Sequence, residues 1–127
     1  MQSNRASRRN VALGVGGCVM VALACQGPLD VEAPVAMVAG EAQHQAAAMV
    51  RHCTGLSVDV RDVRWFAVES IEHDVRNLGG WEPPDIVYLV RSALNDVKVS
   101  AHELVHHVLR GDPKHSGPLW AICGVWP

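Results

Sequence analysis

The first 29 residues hold no acidic side chain, the chain has no apolar run long enough to cross a bilayer, and none of its four cysteines is paired at zinc-finger spacing. The acid-free stretch contains Arg5, Arg8 and Arg9, and behind them Val11–Ala24 is an unbroken run of fourteen apolar or small residues. A membrane-spanning helix needs about 20 such residues, whereas a shorter run behind a positive segment suits a signal peptide, so residues 1–24 are expected to direct export. Ser7-Arg8-Arg9 leaves the twin-arginine route open beside general secretion. Basic residues are also few. Three of the eleven lie in this leader, which leaves eight against thirteen acidic residues in the rest. Without a basic patch, nucleic acid is excluded as an expected partner. No internal repeat is present, and the remaining length suffices for one compact domain.

The leader ends in Ala22-Leu23-Ala24-Cys25-Gln26, which resembles a bacterial lipobox, small residues before a cysteine that is lipidated and becomes the mature N-terminus. Cys18, after Val15-Gly16-Gly17, is the weaker alternative because it leaves too short an apolar core. Residues 25–34 then read as a lipidated N-terminus and tether. They would hold a domain of residues 35–127 at the membrane, on the exported side of a bacterial envelope. Cys53 and Cys123 remain as an even pair in an oxidising compartment, where a disulfide is expected.

Along the domain, Val35–Cys53 repeats apolar residues at helical spacing and stops at Gly55. Leu56–Val68 alternates apolar and polar residues, the period of a half-buried strand, with a bend or a break demanded by its length. Glu69–Asn77 is polar and ambiguous, Leu78–Pro84 reads as a loop from its Gly and Pro content, and Asp85–Val90 reads as a second strand. His115–Cys123 ends in a short helical turn whose Leu119, Trp120 and Ile122 should pack on the core. These elements predict an α+β domain with a short sheet against two helices.

The stretch Val99–His115, VSAHELVHHVLRGDPKH, carries the chemistry. On a helix His102 and His106 lie one turn apart on one face, so both imidazoles can reach one metal ion with Glu103 beside it. Ser100 is expected as N-cap with Glu103 completing a capping box, and Gly111 with Pro113 as the stop. His107 points about 100° away around the helix and is expected to bond neighbouring groups or solvent. His44 and His52 read as solvated; His73 and Asp74 read as a surface turn.

His102, Glu103 and His106 resemble the HExxH of zincin metallopeptidases. More narrowly, HELVHHVLRGDPKH is similar to small bacterial lipoproteins that carry HExxHH, then GDP, then His, with flanking cysteines. The resemblance implies a Zn²⁺ site, a minimal zincin-like fold and a peptide or protein substrate. It also implies that Glu103 takes a proton from the attacking water and passes it to the leaving amine. For the third ligand, no glutamate follows Glu103, so the gluzincin pattern is closed; Asp112 is the sole aspartate left for the aspzincin pattern. His115 follows a glycine turn as in metzincins, at a longer interval and with no methionine after Met49. His115 is the expected ligand and Asp112 the alternative. Ile86–Val90 is expected to offer an edge to extended substrate, and Tyr88, Arg91 or His73 to stabilise an oxyanion. The competing reading is a non-catalytic zinc-binding envelope lipoprotein, since about a hundred residues leave little wall for a cleft. Oligomeric state is not legible.

Overall fold

The computed structural model describes residues 28–126; the expected signal peptide and Cys25 lie outside them. The chain order is β1 (Val31–Glu32), β2 (Val35–Met37), α1 (Glu41–Thr54), a 3-10 turn at Val60–Asp62, β3 (Arg64–Val68), β4 (Ser70–Ile71), β5 (Gly79–Glu82), β6 (Ile86–Val90), α2 (Val97–Leu109) and α3 (Leu119–Ile122). This is the α+β domain expected from the sequence. Four strands form one sheet in the order β2-β3-β6-β5, with β3 and β6 parallel and both edge strands antiparallel to their neighbours. A two-stranded ribbon pairs Val31 with Ile71 and Glu32 with Ser70.

Alternation in the strands divides the sheet into two faces. Trp65, Trp81, Val87 and Leu89 join Ala46 and Val50 of α1 and Ala101, Leu104 and Val105 of α2 in the main core. The opposite face carries Phe66, Val68 and Tyr88, closed over by Ile71, Val31 and Leu29. The helices thus lie on one face and the ribbon on the other.

Several boundaries differ from the sequence reading, each for a physical reason. The expected helix from Val35 begins only at Glu41. Val35–Met37 is instead an edge strand on β3, and Gly40, whose N–H donates to Gln43 Oε1 at 2.9 Å, starts the helix. The exposed Val35 and Val38 had supplied spurious helical spacing. In Leu56–Val68 only Arg64–Val68 is a strand. Val58 and Val60 are buried as the alternation requires, but the turn at Val60–Asp62, capped by Asp59, shifts the phase so that Val63 and Trp65 point inward next. The expected loop at Leu78–Pro84 contains β5. In the expected tether, Val31–Glu32 is a paired strand, so the ordered fold begins before residue 35.

Helix α2 starts one turn earlier than expected. Asp96, not Ser100, is its cap, accepting from the Val99 N–H at 3.1 Å. Ser100 is fully buried and accepts from Gln43 Nε2 at 3.1 Å, while the same nitrogen donates to the Leu94 carbonyl at 2.7 Å. One buried amide therefore docks α1 on the start of α2. Its far end turns at Arg110, in the left-handed region at φ +57°, with Gly111 following at φ +143°, a value that glycine alone adopts without strain. A disulfide joins Cys53 at the end of α1 to Cys123 after α3, as expected. In α3 Trp120 is fully buried, but Ile122 is 61% exposed, because a single turn can turn only one side inward.

Candidate metal centre

Three imidazoles converge where α2 meets the turn that follows it. His115 Nε2 lies 3.0 Å from His102 Nε2 and 3.1 Å from His106 Nε2. His102 Nδ1 is 2.7 Å from the Val125 carbonyl and His106 Nδ1 is 2.7 Å from the Gly111 carbonyl. Since a carbonyl only accepts, each Nδ1 carries the proton, and each Nε2 turns a bare lone pair toward the common point. Burial lowers the proton affinity of all three rings, that of His106 to about 4, so the neutral forms prevail near neutral pH. A single N–H on His115 cannot satisfy two lone pairs well, whereas one cation satisfies all three. Nitrogens about 2.0–2.1 Å from a tetrahedral ion stand roughly 3.4 Å apart, close to the spacing seen. The residues fit a divalent metal ion, and among the described residues His102, His106 and His115 are the one such group.

The alternative ligand, Asp112, has its carboxylate engaged elsewhere. Its Oδ2 accepts from Trp120 Nε1 at 2.7 Å and from the Gly117 N–H at 3.0 Å, and its Oδ1 from the N–H and Oγ of Ser116 at 3.0 and 2.9 Å. These donors, Trp120 foremost, hold the carboxyl far below the usual carboxylate range. The turn that brings His115 back is built on left-handed backbone at Asp112 (φ +60°) and His115 (φ +52°).

Glu103 is 4% exposed, and its Oε2 has no hydrogen-bond partner among the described residues. Burial raises its carboxyl to about 8. It lies against β5. A Cβ on Gly79 would come within 2.8 Å of both Glu103 Oε1 and a Val99 methyl, so the strand can approach the helix this closely only with glycine there. A cleft of about 400 Å³ opens beside His102, Glu103 and His115, walled by Leu78, Val99, Val125 and Trp126, with Lys98 and Arg76 at its rim. A second cleft flanks His106, with Leu29, Trp81 and Pro113 among its walls. Asn77 belongs to both, and β5 lends Gly79 to the first and Trp81 and Glu82 to the second.

Other expected participants lie elsewhere. His107 is 7% exposed and packs edge-on to Trp81 at 6.4 Å, neither at the metal group nor in solvent. Tyr88 is on the far face of the sheet, donating to Glu82 Oε2 at 2.8 Å, and burial pushes its hydroxyl up to about 12. Arg91 pairs with Glu69, and His73 with Asp30 at 3.0 Å. None of the three lines either cleft. Strand β6 is interior; the edge beside the site is β5. Sequence reasoning missed the carbonyls of Gly111 and Val125, which have no side-chain signature, and it took Trp120 for simple core packing. Gly79 did carry a signal: a glycine in a strand marks close approach of another group.

The geometry defines an α+β domain with a three-histidine group that could hold a metal ion beside a buried glutamate. No protein-family model, curated protein or solved structure matches the chain.

Proposed function

We propose that the chain is a zinc-dependent metallopeptidase, anchored through lipid on Cys25 to a bacterial envelope membrane. Glu103 carries the reading. A buried carboxyl with an oxygen unpartnered among the described residues destabilises the fold, and a purely structural metal site has no use for it. His102, His106 and His115 would hold Zn²⁺, which when bound supplies a Lewis acid and eases the deprotonation of water. Glu103 takes the proton of the attacking water and delivers it to the leaving amine. The free edge of β5 receives an extended peptide by strand addition, and the apolar walls Leu78 and Trp126 take a bulky side chain next to the scissile bond.

The test is zinc content with hydrolysis of a broad peptide library. Glu103→Gln is expected to retain zinc and lose hydrolysis, because the imidazoles are untouched and the amide cannot act as base. The shallow clefts favour the second reading, a zinc-binding envelope lipoprotein without activity. Wild type and Glu103→Gln equally inert over the library, both with zinc bound, would establish it.

A further inference from the structure

The three histidines stand on one indole. The ring centroid of Trp120 is 4.8 Å from that of His102, 4.6 Å from that of His106 and 4.5 Å from that of His115, and the residue is fully buried. Contacts of this kind with all three rings go beyond filling space. An indole this close to all three rings, tilted to one and edge-on to two, limits how far each imidazole can tilt, and so where each Nε2 points. Its position is fixed in turn by the bond from Nε1 to Asp112.

We infer that Trp120, pinned by Asp112, is the positioning residue of the metal centre, a rigid floor that brings the third ligand, His115, into register with the helix pair. The inference rests on the metal site proposed above. His102 and His106 need little help, since one rigid helix carries both and two carbonyls fix their Nδ1 atoms. His115 has no such carbonyl partner among the described residues, and it sits on a turn with two non-glycine residues in left-handed backbone. Such residues are strained and persist where their surroundings hold them. Here the holder is the Asp112 carboxylate, which gathers the Ser116 and Gly117 N–H groups and the indole N–H around itself. One carboxylate thus shapes the turn that delivers His115 and locks the surface against which His115 rests.

The two residues act as one unit, which separates this role from ordinary packing. Metal affinity would be measured by competition with a chromophoric chelator, and ligand geometry by the d–d spectrum of the Co²⁺ form. Wild type, Trp120→Phe, Asp112→Asn and the double variant would be compared, with folding checked by circular dichroism. Trp120→Phe keeps an aromatic face without the N–H, and Asp112→Asn leaves the core filled, so it serves if the first variant fails to fold. Each single change is expected to lower Zn²⁺ affinity about 10–100-fold, the range for groups that orient ligands, and to alter the Co²⁺ spectrum. The double variant should lose little more than Asp112→Asn alone, because the bond that Trp120→Phe removes is one of those that Asp112→Asn already disturbs. Folded variants with wild-type affinity and spectrum, or losses that simply add, would overturn the inference while leaving the metal site standing. A wild-type protein that binds neither Zn²⁺ nor Co²⁺ would overturn both.

Discussion

His106 and His107 are adjacent and identical in chemistry, the first half-buried and the second buried, yet they have opposite surroundings. His106 has its Nδ1 proton committed to the Gly111 carbonyl and its Nε2 lone pair aimed at two other rings. His107, about 100° around the helix, is wedged against Trp81 with Nδ1 buried and without a partner among the described residues. On His106 one nitrogen is tied down and the other is left facing the other two rings, the arrangement of an imidazole that could hold a metal ion. A buried histidine without that arrangement is a packing residue that leaves a polar atom unsatisfied.

The sharpest break of this comparison is His106→Ala against His107→Ala. The first should lower Zn²⁺ affinity by more than the roughly 100-fold upper range for a supporting residue. The second should leave affinity as in wild type and instead lower stability by about 1–3 kcal/mol. Chelator competition and thermal melts on both proteins decide it. A comparable loss of affinity in the two variants would remove the distinction.

Next in size is the tail that holds His102 as Gly111 holds His106. The Val125 carbonyl lies two residues past Cys123, whose partner Cys53 is 70 residues away. Closing a loop of that length is worth about 4 kcal/mol in the chain-entropy estimate. Reduction should therefore lower the melting temperature by more than about 15 °C. It should also weaken metal binding through His102. Metal affinity of the reduced, still folded protein at low temperature checks the second half.

The helix that carries this contrast was legible from spacing alone. His102, Glu103 and His106 fall on one face because four residues nearly complete a turn, and the return of His115 after Gly111 followed from the glycine. Cys53 and Cys123 were paired by arithmetic. Legibility failed where burial comes from tertiary contact. Ser100 looks like a cap but serves Gln43, a residue 57 positions away. Val35–Met37 is a strand because β3 lies beside it, and Gly79-Gly80 is a strand because β6 pairs with it; neither partner can be read from local composition.

A third prediction concerns Glu103 in metal-free protein. Its folded value near 8 lies above the roughly 4.3 of an unfolded glutamate. Between those values the folded state keeps a proton that the unfolded chain releases, so its contribution is full at low pH and is lost as pH rises toward 8. Metal-free Glu103→Gln should thus melt at the same temperature as wild type near pH 4 and higher than wild type near pH 8. Parallel melting curves across that range would show that the carboxyl is not buried in solution. The smallest effect is expected of His107→Leu, which removes an unsatisfied atom at nearly constant volume. Stability should hold or rise slightly, with zinc binding unchanged.

Strand β5 would also act as a ruler for any chain that pairs with its open side. It is four residues long, about 13 Å at 3.3 Å per residue, and one of its sides is already bonded to β6. Pro83 and Pro84 come straight after Glu82 and have no N–H to offer, so the ladder cannot continue past them. Any extended chain laid along the open side, whether a peptide or a second copy of the protein, is gripped through its backbone over about four residues. Sequence beyond that window can be sensed only by side chains. The same shortness leaves the edge too little backbone to seed sheet-to-sheet aggregation.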